Sequence, residues 1–97
     1  MTLDEFKSSL ARETPPTGVS KHLEALWHAG KGEWDTAHRL IQDLSGPEAA
    51  WIHAYLHREE GDISNAGYWY RRANKPLPEA SLEEEWTQIA AALLELP

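Results

Sequence analysis
The chain has 97 residues, a formal net charge of −7 and no cysteine, so one small domain is expected, with neither a disulfide framework nor a cysteine-type zinc site to support it. The acid excess argues against a nucleic-acid partner, because phosphate binding draws on surplus Lys and Arg, and no apolar run approaches the ~20 residues that span a bilayer. Met1-Thr2-Leu3-Asp4-Glu5-Phe6 is acidic at once and lacks the apolar core of a secretory signal, so a cytoplasmic protein with no membrane partner is the expectation.

Thr2 and Glu5 form a capping box, and Leu3, Phe6 and Leu10 follow at helical spacing, which predicts a first helix over about 3–12. Thr14-Pro15-Pro16-Thr17-Gly18 breaks it. Leu23, Leu26 and Trp27 mark a second helix over about 20–30, and Gly30-Lys31-Gly32 turns into a third over about 33–44, with Trp34, Ala37, Leu40, Ile41 and Leu44 on one face. Ser45-Gly46-Pro47 ends that helix and starts the next, where Pro47 suits a first turn and Glu48 favours its positive end. The fourth helix spans about 47–60 and the fifth about 63–73, stopped before Pro76 and Pro78. Ser81 with Glu84 opens a sixth over about 81–95, with Leu82, Trp86, Ile89 and Leu93 on one stripe. Period-two alternation is absent, so the chain is read as all-α.

Residues 25–37, from Ala25-Leu26-Trp27-His28 to Ala37, line up with residues 54–66, from Ala54-Tyr55-Leu56-His57 to Ala66, 29 residues later. Ala, His, Gly and Ala recur in register, and an acid follows each Gly (Gly32-Glu33, Gly61-Asp62). Such a period marks stacked helical hairpins. Gly32-Glu33-Trp34-Asp35-Thr36-Ala37 and Gly61-Asp62-Ile63-Ser64-Asn65-Ala66, the second followed by Tyr70, Ala73 and prolines, resemble the turn of a tetratricopeptide repeat. The similarity covers about residues 20–78. It implies a right-handed array of helical hairpins in a single domain 1–97, with repeats at about 20–46 and 47–78. Helices at about 3–12 and 81–95 would cap the two ends, because an uncovered repeat leaves an apolar face in water. It also implies that Trp51 and Tyr55, in the slots of His22 and Leu26, line a concave face. Trp51 to Arg72 further resembles a set of small uncharacterised, mostly microbial proteins, through Trp51, His53, Ala54, His57, Arg58, Glu59, Asp62, Asn65, Ala66, Tyr68, Trp69, Tyr70, Arg71 and Arg72.

Three groups of side chains carry the functional expectation. His53 and His57 are four apart on one helix face and can reach one ion, with Glu60 and Asp62 close in sequence. Two imidazoles make an incomplete zinc site, however, and the Glu that follows the first His in helical metalloproteases is replaced by Ala54. No metal or cofactor is therefore assigned. Arg58, Asp62, Asn65 and Arg72 fit either an internal hydrogen-bond network with helix caps or an anion site. Trp27, Trp34, Tyr70 and Trp86 fit core stripes, whereas Tyr68, Trp69 and Tyr70 point three ways on a helix and cannot all be buried together. Phosphate loops, dinucleotide fingerprints and nucleophile elbows are missing, and no catalytic residue is assigned. The expectation is a non-enzymatic binding module for a protein or peptide, or for a small anionic ligand. Its site lies on the fourth and fifth helices: Trp51, His53, Tyr55, His57, Arg58, Asp62, Asn65, Trp69 and Arg72. The alternative is a small enzyme or a metal- or anion-binding protein that uses the His53, His57, Arg58 and Asp62 cluster.

Overall fold
In a computed structural model that describes residues 1–96, the chain folds into six α-helices with no strand among the described residues. They are α1 (Leu3–Ser8), α2 (Lys21–Gly30), α3 (Trp34–Gln42), α4 (Pro47–Glu59), α5 (Ile63–Arg72) and α6 (Leu82–Leu94). Local chemistry sets their starts. Thr2 and Ser81 each accept a hydrogen bond from the backbone amide three residues on, while Glu5 and Glu84 reach back to the cap amide, closing two capping boxes. Ser20 caps α2, and Asp62 caps α5 by accepting from the Asn65 amide.

Two boundaries differ from the sequence reading. The first helix is α-helical only to Ser8 and tightens into a 3-10 turn over Ser9–Ala11. The Ser9 hydroxyl donates to the Phe6 carbonyl and accepts from Trp27 Nε1, and this local competition for a helix carbonyl favours the tighter turn. The third helix stops at Gln42 rather than about residue 44, ahead of the positive-φ Gly46 (+98°) and Pro47.

Helices α2–α3 and α4–α5 form two antiparallel hairpins, and their turns share one construction. Gly32 and Gly61 take φ of +79° and +87°, a region that costs glycine nothing. The following amides of Glu33 and Asp62 close onto the carbonyls of His28 and His57, each at 2.9 Å. The 29-residue register of the sequence is thus carried into backbone geometry.

The hairpins pack α2 and α3 against α4, and α6 lies across α1, α2 and α4. The sequence reading left this face of α4 open and put the last helix at the end of the array. The physical reason for the difference is that the α6 stripe of Trp86, Ile89, Ala90 and Leu93 is buried in the same core as Phe6, Leu26, Trp27, Ile52, Tyr55 and Leu56. Phe6 and Trp86 stack at 5.6 Å, and Trp86 Nε1 donates to the Leu26 carbonyl at 2.8 Å. Gly30 permits the approach, because a Cβ there would stand 3.1 Å from the Trp86 ring. Each fully buried large side chain contributes about 1.5–3 kcal/mol, so α6 carries a large share of the apolar stabilisation. A smaller cluster of Ala54, Ala66 and Tyr70 seats α5 on α4. The radius of gyration, 12.3 Å, matches the ~12.5 Å of a closed domain of this length, rather than that of an extended superhelix.

Candidate functional site
Helix α4 is buried nearly all round, with Ala49, Ala50 and Ile52 to His57 all buried, so its residues face two different neighbours. Toward α6 it presents Trp51, Tyr55 and Arg58. Trp51 and Arg58 bond to Glu85, which is 1% exposed, while Tyr55 packs in the core. Glu85 accepts from Arg58 Nη1 at 2.9 Å on one oxygen, and from Trp51 Nε1 at 3.1 Å and the Tyr70 hydroxyl at 2.6 Å on the other. Arg58 Nη2 also donates to the Ala80 carbonyl at 2.6 Å. Burial, and then the bond to Glu85, push the Tyr70 hydroxyl far above its ordinary value, so it stays a donor. Burial raises Tyr55 in the same direction. Lys75 Nζ lies 4.2 Å from the Trp51 ring, which closes this side further. Of the residues expected at a ligand site, Trp51 and Arg58 are therefore spent on an internal network that holds α6 in place, and Tyr55 is buried in the apolar core beside it.

Toward α3 and α5 the same helix presents His53 and His57, and here α3 adds His38. One ring nitrogen of each imidazole lies within 4.8 Å of those of the other two, and His38 Nε2 and His53 Nε2 are 3.2 Å apart. Two tryptophans flank the group. Trp34 stacks on His38 at 4.7 Å, and Trp69 stacks on His53 at 3.8 Å. Trp34 is itself fixed by donating Nε1 to the Leu56 carbonyl. His57 pairs through Nδ1 with Glu60 Oε2 at 2.7 Å, and its Nε2 faces Asn65 Nδ2 at 3.4 Å. His28, in the matching slot of the first hairpin, makes the corresponding Nδ1 contact with Glu33 at 2.8 Å.

His53 is held well below the ordinary histidine value, at about 4, first by burial and then by its neighbours His38 and His57. His38 is lowered as well, by burial and then by His57, against the opposing pull of Glu60 and Asp35. At neutral pH both are uncharged imidazoles, and their Nε2 atoms at 3.2 Å share one hydrogen bond, one ring donating its N–H to the lone pair of the other.

The rest of the expected set lies at the edge of this cluster. Asp62 is exposed and serves as the α5 cap, and Asn65 bridges the cap to His57. The Arg72 guanidinium lies 5.3 Å from the Trp69 ring and donates to the Tyr68 hydroxyl at 2.8 Å. The run Tyr68-Trp69-Tyr70 divides as a helix requires: Tyr70 is 1% exposed, Trp69 partly buried and Tyr68 44% exposed. Of the nine expected residues, the structure brings together His53, His57, Asn65, Trp69 and Arg72, leaves Asp62 exposed at the edge as the α5 cap, and sends Trp51, Tyr55 and Arg58 to the opposite face. Sequence reasoning missed His38, Trp34, Glu60 as a direct partner of His57, and Glu85. The available signal for the first two was their spacing of four on α3, a pair that reads as ordinary helix pattern until α4 is packed against it.

Comparison with protein-family models, with curated proteins and with solved structures found no match to this chain. Among the described residues no helix is long and apolar enough to cross a membrane.

Proposed function
We propose that this protein is a non-enzymatic binding module, built on a tetratricopeptide-like pair of hairpins, whose ligand site is the face shared by α3, α4 and the start of α5. The 29-residue register and the two equivalent Gly-acid turns support the repeat reading. The concave face that such arrays use for peptides is filled by α6, which shifts the binding surface to the imidazole face. One observation carries the proposal: His38, His53 and His57 converge between Trp34 and Trp69. Ring stacking alone asks for no polar atom, and an apolar aromatic gives the same burial without nitrogens to satisfy. Three imidazoles in contact are better explained by a ligand that uses their lone pairs or N–H groups.

The test is a thermal-shift screen of metal ions, anions, sugars, metabolites and short peptides on the wild-type chain, His38→Ala and His57→Ala. A ligand that binds only the folded state raises the melting temperature by mass action, and the shift should vanish in both variants. A screen in which every ligand leaves the wild type unmoved, or in which the variants respond equally, overturns the assignment of this face.

A further inference from the structure
Deepening the reading above, and resting on it, we propose that His38, His53 and His57 form a three-imidazole site for a divalent transition-metal ion such as Zn²⁺. The geometry is the first ground. In a tetrahedral zinc site with Zn–N bonds of about 2.0–2.1 Å, two ligand nitrogens stand about 3.3 Å apart. His38 Nε2 and His53 Nε2 are already 3.2 Å apart, in a hydrogen bond whose proton an ion would displace, and one nitrogen of the third imidazole lies within 4.8 Å of a nitrogen of each. The three donors come from two helices of the buried core rather than from a mobile loop, so the site is held in shape before an ion arrives.

Partners of the ligands are the second ground. Metal-bound histidines usually give their other ring nitrogen to a carboxylate, which fixes the ring and raises its basicity. His57 has that arrangement, with Nδ1 on Glu60 Oε2 at 2.7 Å. With Nδ1 so engaged, Nε2 is the His57 nitrogen that remains for an ion, and its other contact is a long one of 3.4 Å with Asn65. Trp34 and Trp69 clamp the other two rings. His38 is only partly buried and gives an ion its way in.

The donor set states the class of ion. Imidazole suits Zn²⁺, Cu²⁺ and Ni²⁺, whereas Mg²⁺ and Ca²⁺ require oxygen ligands. Three neutral donors leave a fourth position for water or an anion.

The experiment uses the full chain without a histidine tag. Zn²⁺ is titrated by calorimetry, and Co²⁺ is followed by its visible absorption, which distinguishes four-coordinate from six-coordinate geometry. One ion per chain is expected, with a four-coordinate Co²⁺ spectrum and quenching of tryptophan emission by Cu²⁺ through Trp34 and Trp69. At about 100-fold excess over Kd, Zn²⁺ should raise the melting temperature by about 10 °C or more, while millimolar Mg²⁺ leaves it unchanged. His38→Ala should abolish stoichiometric binding, and Glu60→Gln should weaken it by about 10–100-fold, an effect a purely structural role would not produce. His22→Ala and His28→Ala, outside the cluster, should bind as the wild type does.

Failure of Zn²⁺, Co²⁺ and Ni²⁺ to bind one-to-one, or unchanged binding in His38→Ala, overturns the metal site. If the wild type ignores metals but a non-metal ligand from the screen stabilises it and not His38→Ala, the metal is refuted while the binding face survives. If no ligand of any class binds, both are refuted.

Discussion

Replacing Glu85 by Gln removes one charge and almost no volume, and it tests what holds α6 across the core. The carboxylate receives three donors and is 1% exposed, while the Arg58 side chain facing it is 21% exposed. In Glu85→Gln one acceptor oxygen becomes an amide that must face either Arg58 Nη1 or the Trp51 and Tyr70 donors. Hydrogen bonds to charged groups contribute about 1.5–3 kcal/mol each, and breaking a buried ion pair by removing one partner costs about 3–5 kcal/mol. The expected loss is about 3–5 kcal/mol, out of a total of about 5–15 kcal/mol for a domain of this size. At this length each kcal/mol corresponds to about 5 °C, so the melting temperature should fall by about 15–25 °C. Urea unfolding monitored by tryptophan emission measures the change directly, with the midpoint falling and the slope unchanged. A double-mutant cycle with Arg58→Met separates the pair from its surroundings and should return a coupling of about 2 kcal/mol or more. A loss below about 1 kcal/mol in Glu85→Gln, or additivity within about 0.5 kcal/mol in the cycle, would show that the network does not fasten α6.

Acid should weaken the metal-free protein through His53. Its folded value of about 4 lies below the ordinary 6.5, so the unfolded chain binds the proton that the folded chain refuses. The stability is fully present above about pH 6.5 and is lost as pH falls toward 4, up to about 3 kcal/mol at about 1.4 kcal/mol for each pH unit. His38 and His57 oppose charging of the ring, while Glu60 and Asp35 bear on His38; denaturant titrations between pH 7 and 4 should show a shallower fall in His53→Gln, and equal slopes would exclude this origin. A chain ended at residue 80 loses Trp86, Ile89 and Leu93 from the core and the acceptor for Arg58 and Tyr70, so it should not unfold cooperatively. A sharp melt near the full-length temperature would refute the central place given to α6. Ser81→Ala removes the cap that receives the Glu84 amide and should cost about 1 kcal/mol, measured by the same urea titration; no measurable change would mean that α6 is held by its core contacts alone.

The helices and their turns were legible in the sequence because the interactions that set them are local. Capping boxes at Thr2 and Ser81, the Asp62 cap, the Gly32 and Gly61 turns and Pro47 all act within about one helical turn of the residues they govern. The 29-residue repeat is likewise written in the chain, and so is the division of Tyr68, Trp69 and Tyr70 among three directions, which follows from helical periodicity alone. The pairing of His53 with His57 was equally visible, as residues four apart on one helix.

The covering of α4 was settled only by packing. The apolar stripe of α6 could be read from its spacing, but a stripe names no partner, and the same residues could have closed the end of an array or filled its concave side. Because α6 packed against α4, Tyr55 joined the core, and Glu85, which looks in the sequence like one of three solvated acids at a helix start, became the buried partner of Trp51, Arg58 and Tyr70. The third imidazole is the same kind of fact. His38 is 15 residues from His53 and lies on a different helix, and no local pattern joins them. Periodicity assigns each side chain a face on its own helix; the packing of α3 against α4 brings two such faces within reach of one ion.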